Sequence, residues 1–208
     1  MPKLPYSFYQ QEDVIDLAVQ LLGKQLFTLI DGKLTGGTIV ETEAYNGIID
    51  KASHAYNGRF TPRTSIMYEA GGISYVYLCY GIHHLFNIVT NTKSNPNAVL
   101  IRGIEPTEGL STMLERRNMQ KLEPRITAGP GALAKALGID KNLNGKDLLG
   151  DEIWIEDNGI HFKEEQIVAS PRVGVDYAED HALLPWRFYV KGNKFVSKLE
   201  SKQTVLFT

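Results

Sequence analysis

Apolar positions near the start of the chain change rhythm at Gly23. In residues 11–22, QEDVIDLAVQLL, Val14, Leu17, Ala18, Leu21 and Leu22 fall three and four apart behind acidic residues. That spacing predicts an amphipathic helix closed by Gly23. QLFTLI, the turn pair Asp31-Gly32 and KLTGGTIVETEAY then predict a hairpin followed by a longer strand through Thr38–Ala44. From Asn46 to Met67 the chain is polar, with Gly58 and Pro62. Loops longer than about 12–15 residues within a compact domain are usually functional. ISYVYLCY (73–80) and IHHLFNIVT read as two strands joined by a tight turn near Tyr80-Gly81. AVLIRGI predicts another strand, and PTEGLSTMLERR a helix opened by Pro106 or Thr107 that leads into a basic helical segment, Glu115–Arg125. TAGPGALAKALGI predicts a short helix with a glycine-rich start and an end at Gly138, while IWIED, VASPRVGV and RFYVKG are strand-like. The expectation is one α+β domain, residues 1–208, with a mostly antiparallel sheet.

Composition removes several classes. At 208 residues, with 43% hydrophobic and 22% charged positions, the chain is long and apolar enough to fold around a core. No apolar run approaches the roughly 18–20 residues of a membrane span, and Met1–Tyr9 lacks a signal-peptide pattern, so a cytosolic protein is expected. The single cysteine, Cys79, excludes an internal disulfide, and no Cys/His spacing resembles a zinc site. The net charge of −2 hides a gradient: residues 51–125 carry 9 Lys/Arg against 5 Asp/Glu, a local +4. A neutral chain with such a segment can still present a basic face to phosphate.

Several residues carry candidate chemistry. Glu41 and Glu43, two apart on a strand, share one face of the sheet. Facing a cavity, either is a candidate general base; the alternative is an ion pair or loop anchor. His54, Arg59, Thr61 and Arg63 lie in the long loop, where they suit the phosphate oxygens of a polyanion or form a solvated face. Tyr75 and Tyr77 share a strand face, whereas Tyr80 at the turn has no core to enter and reads as a contact residue. His83 and His84 are adjacent and point to opposite faces, which does not chelate a metal. AGPGA lacks the Gly-Lys-Ser/Thr ending of a phosphate loop, so an ATPase is excluded.

Taken in order, IVETEAY, SHAYNGRFTPR, YVYLCYGIHHLFNIV, VLIRGIEP, AGPGALAKALGI, PRVGV and RFYV resemble the alkyladenine (3-methyladenine or methylpurine) DNA glycosylase family. The resemblance runs from about Gly36 to Val190. It implies a curved sheet with surrounding helices and a protruding β-hairpin, and double-stranded DNA containing damaged purines as the partner. A monomer without metal or cofactor is expected. By the same resemblance Glu43 is the general base, and Arg102 with the main-chain carbonyl of Val173 holds the attacking water. Tyr45, His54 and Tyr77 enclose the flipped base. Asn87 excludes guanine, and Tyr80 is the wedge that fills the vacated stack. Arg59, Thr61 and Arg63 are the candidate backbone contacts. The histidine pair after Gly81 and the C-terminal tail depart from the family pattern. A non-catalytic nucleic-acid-binding module is the alternative; it would explain the tyrosines and the basic segment but give Glu43 no task.

Overall fold

In the computed structural model, which describes residues 2–197, a single turn, α1 (Tyr6–Tyr9), precedes the amphipathic helix α2 (Val14–Gln20). The C-terminal tail that departs from the family pattern lies outside the described residues. Asp13 opens α2 by accepting from the backbone amides of Ile15 and Asp16, satisfying two donors that would otherwise have no partner in the helix. Val14, Leu17 and Ala18 form its buried stripe. Beneath it, the Thr42 hydroxyl donates to the Ala18 carbonyl at 2.9 Å and pins the helix to the sheet.

That sheet contains β1 (Gln25–Ile30), β2 (Lys33–Tyr45), β3 (Ile73–Cys79), β4 (His83–Thr90), β5 (Asn97–Glu108), β6 (Ile153–Glu156), β7 (Ile167–Ser170) and β8 (Arg187–Val190). The main order is β3-β4-β5-β2-β1-β6, and β8 pairs with both β2 and β7. Every strand pairing is antiparallel. The hairpin arm and the longer strand expected after Asp31-Gly32 are one strand of 13 residues. Its first half pairs with β1, and at Glu41–Glu43 that neighbour is replaced by β8, while β5 runs along the other edge. Glu41 is flanked by register shifts against β5. The strand that carries the two glutamates is thus held on both edges.

Three boundaries differ from the sequence expectation. Pro106 does not open a helix: β5 runs on to Glu108, and Pro106 faces Gly37 next to a register shift at Gly36/Gly37 that absorbs its missing N–H. Helix α3 (Leu110–Arg117) begins only after Gly109, whose φ of +68° and close approach to the Leu34 carbonyl oxygen leave no room for a Cβ. It ends at left-handed Asn118, so within the segment Glu115–Arg125 the α-helix stops at Arg117, and a single 3-10 turn, Pro124–Ile126, follows after a non-helical stretch. VASPRVGV is a strand only through Ser170; from Pro171 the chain leaves the sheet.

Helix α4 (Pro130–Leu137) follows its sequence signature, with proline in the first turn and Gly138 in the left-handed region at the end. It packs its buried Leu133, Ala134, Ala136 and Leu137 into a core with Leu17, Ile39, Phe86, Ile101, Ile104 and Phe188. Each large apolar side chain buried there contributes about 1.5–3 kcal/mol. The core fixes β2, β4 and β5 rigidly, and those strands carry much of the site.

Candidate active site

Glu41 and Glu43 are both fully buried on β2, and the guanidinium of Arg102 on β5 lies between them. Its Nε is 2.9 Å from Glu41 Oε1, and its Nη1 is 3.3 Å from Glu43 Oε1. Beyond that shared cation the two carboxylates diverge. Glu41 also meets Arg187 Nε at 2.8 Å and accepts from the Ser197 amide at 2.6 Å and the Ser197 hydroxyl at 2.7 Å. Burial pushes its pKa up, but Arg102, Arg187 and Ser197 outweigh burial and hold it below the usual carboxylate value. Glu41 is therefore an ion-pair hub that ties β2, β5 and β8 together.

Glu43 has a different set of partners. Its Oε1 accepts from the Val173 amide at 2.8 Å, and its Oε2 from the Tyr45 hydroxyl at 2.9 Å. Burial, reinforced by the adjacent Glu43, raises the Tyr45 pKa well above 10, so its hydroxyl keeps its proton and donates. It is the N–H of Val173 that touches Glu43. A carboxylate offers about four lone-pair sites, so these two hydrogen bonds, with the Arg102 guanidinium alongside as an ion pair, leave acceptor capacity open.

Tyr45, Arg102 and Val173 all line a cavity of about 680 Å³, and Glu43 sits directly behind them. His54, Tyr77 and Asn87 line the same cavity, so it gathers residues from β2, β3, β4, β5 and two loops. His54 and Tyr77 meet edge to face with ring centroids 4.7 Å apart. Asn87 is 4% exposed, and its amide nitrogen donates to the Tyr75 carbonyl at 3.2 Å.

The protonation of His54 follows from its neighbours. An arginine only donates, so Arg63 Nη2, 3.3 Å from His54 Nε2, makes Nε2 the acceptor; the ring proton is then on Nδ1, 2.8 Å from the Tyr75 hydroxyl. Burial, with Arg63 and Arg59 nearby, lowers the His54 pKa from 6.5 to about 4. The imidazole is neutral at physiological pH.

The sequence profile of the Methylpurine-DNA glycosylase (MPG) family matches residues 7–194. The chain belongs to the methylpurine-DNA glycosylase family. A relative from Desulfitobacterium hafniense (strain Y51), named "Putative 3-methyladenine DNA glycosylase", is 44% identical over 95% of this chain and 99% of its own length. Relatives of the same name from Chlamydia felis (strain Fe/C-56) and Clostridium novyi (strain NT) are each 47% identical, covering 92% and 95% of this chain and 97% and 100% of their own. The family's enzymes are hydrolases that act on DNA, and the chain's cavity is the concave site such chemistry needs.

Around the glycosylase cavity, the rim residues separate into two groups. Tyr80 stands at the tip of the β3–β4 hairpin, 88% exposed, and borders the cavity. Tyr80 and Gly81 both have positive φ, 49° and 73°, as the central pair of a type I′ turn requires. Arg63 also lines the cavity, with its guanidinium 4.7 Å from the Tyr77 ring. Arg59 and Thr61 do not line it: Arg59 is exposed outside, and Thr61 ties its loop by exchanging hydrogen bonds with Thr64.

Sequence reasoning missed a second buried ion pair. Arg172 and Asp50 have side chains with no exposure, and Arg172 Nη2 is 2.8 Å from Asp50 Oδ1. The same guanidinium lies 4.8 Å from the Tyr45 ring and donates to the Ala44 carbonyl at 2.9 Å. It joins the long loop that carries His54 to the loop that carries Val173. The partners are 122 residues apart, and no local pattern links them. Among the described residues, no cluster of His, Cys, Asp and Glu could hold a metal, and no helix is long and apolar enough to cross a membrane.

Proposed function

We propose that this chain is a monofunctional glycosylase of base-excision repair, acting as a monomer on duplex DNA. It rotates a damaged purine out of the stack and hydrolyses its N-glycosidic bond with a water activated by Glu43. Its lesions are alkylated adenine, hypoxanthine and etheno-adenine. One observation carries this reading: two hydrogen-bond donors and a guanidinium converge on a buried carboxylate, and the residues that supply them all line a single aromatic-walled cavity beside an exposed tyrosine.

A stacked base is out of reach of any active site, and extruding it costs a few kcal/mol, least for damaged bases. Tyr80 offsets part of that cost by entering the gap. The extruded base lies against Tyr45 on one side and His54 with Tyr77 on the other, and the Asn87 amide clashes with the exocyclic amine of guanine. Water held by Glu43, Arg102 and the Val173 carbonyl attacks C1′ as positive charge develops on the sugar, and the Glu43 carboxylate stabilises that charge while taking the water's proton. The electron pair of the breaking bond stays with the purine. A cationic alkylated purine leaves neutral; neutral hypoxanthine needs a proton from an acid. No lysine lines the cavity among the described residues, which supports hydrolysis by water over a Schiff-base lyase. Arg59 and Arg63 serve as backbone contacts.

The test is release of free base from duplexes carrying one hypoxanthine or one 3-methyladenine, by wild type and Glu43→Gln. Release by wild type, with a loss of orders of magnitude in the variant at retained DNA binding, is expected. Equal release by both removes Glu43 from the chemistry. Salt-dependent DNA binding with no release of either base points to the binding module instead.

A further inference from the structure

The Arg63 side chain belongs to an exposed loop position, yet its head group turns into the cavity. There it lies 4.7 Å from the centre of the Tyr77 ring and donates to His54 Nε2 at 3.3 Å, and it also interacts with the Tyr75 hydroxyl. A guanidinium is a planar, delocalised array of N–H donors. A purine offers the same two features, a flat face for stacking and an N–H edge, and the cationic alkylated purines add the same charge. The aromatic face and the imidazole acceptor cannot serve both at once.

We propose that Arg63 is an internal ligand of the base-binding wall: in the free protein its guanidinium holds the Tyr77 face and the His54 acceptor, and an extruded purine must displace it. The inference rests on the reading of Tyr77 and His54 as base-pocket residues. The loop is built for a side-chain exchange rather than a loop movement. The Thr61 amide donates to the Thr64 hydroxyl at 2.8 Å, and that hydroxyl donates to the Arg59 carbonyl at 2.9 Å, so the backbone on either side of Arg63 is tied. The displaced guanidinium remains at the mouth of the cavity, where phosphates of bound DNA accept it. One arginine thereby exchanges an internal contact for a DNA contact, and the exchange favours a base able to replace both the stacking and the donated hydrogen bond.

Free bases separate the two roles, because they carry no phosphate. Binding of 3-methyladenine and of hypoxanthine is measured by isothermal titration with wild type, Arg63→Ala and Arg63→Lys. Arg63→Ala is expected to bind at least one free base about two- to fivefold more tightly, the range set by release of an exposed cation–π contact. Arg63→Lys, which keeps a cation but loses the planar fork, is expected to gain less. Free-base affinity that is unchanged or weaker in Arg63→Ala, including no measurable binding in either protein, overturns the internal ligand. Base release from lesion duplex by wild type is scored separately, so an active wild type with an unimproved Arg63→Ala removes this inference and leaves the glycosylase reading standing.

Discussion

Replacing Asp50 by alanine isolates the contribution of the clamp behind the cavity. In the folded protein Asp50 forms a two-pronged pair with Arg172, both side chains fully buried, and also accepts from the backbone amides of Ala52 at 3.0 Å and Asn46 at 3.2 Å. Removing the carboxylate strands a buried guanidinium, which costs about 3–5 kcal/mol. Arg172 keeps its bonds to the Ala44 and His181 carbonyls, at 2.9 and 3.2 Å, and these favour the lower end, about 3 kcal/mol. In urea, where slopes for small proteins are about 1–3 kcal/mol/M, the midpoint should fall by about 1–3 M, read by far-ultraviolet circular dichroism. Adding Arg172→Met should recover much of the loss, because the stranded charge is removed with its partner. An Asp50→Ala protein within about 0.5 kcal/mol of wild type, or a double variant with no recovery, would refute the claim that this pair is a structural clamp.

Two further outcomes follow from the site. His54 binds a proton at pH 6.5 in the unfolded chain but only near pH 4 when folded, so between those values the unfolded state holds more protons. Its contribution is full above pH 6.5 and is lost as pH falls toward 4, by up to about 3 kcal/mol; His54→Gln should flatten the pH dependence of the urea midpoint across that window, and an unchanged slope would contradict it. Tyr80→Ala should leave the urea midpoint near wild type while weakening lesion-DNA affinity and extrusion, followed by 2-aminopurine fluorescence next to the lesion; a fluorescence rise equal to wild type argues against the wedge.

What the sequence revealed depended on how local the determining contacts are. Helix α4 was legible because Pro130 and Gly138 mark its ends, and the hairpin turn because Tyr80-Gly81 interrupts two β-rich runs. Pro106 misled because its tolerance depends on a register shift at Gly36/Gly37, far away in the chain. The period of two placed Glu41 and Glu43 on one face, but not their division of labour. That is set by Arg187 and Ser197, which reach Glu41 across 146 and 156 residues, and by Val173, which reaches Glu43 across 130. Likewise, the residues around His54 were visible, whereas its tautomer is set by the Arg63 guanidinium, and Arg63 reads as a surface cation until that guanidinium is seen over Tyr77 and beside Nε2.

The left-handed backbone at Tyr80 has an evolutionary corollary. An L-residue with a bulky ring is uncomfortable at φ 49°, where glycine or asparagine would relax the turn. Any search for thermostable variants that scores folding alone should therefore drift toward Tyr80→Gly or Tyr80→Asn, gaining robustness while losing the aromatic ring that the hairpin tip holds out into solvent. Directed evolution of this scaffold needs activity in its selection at that one codon above all others.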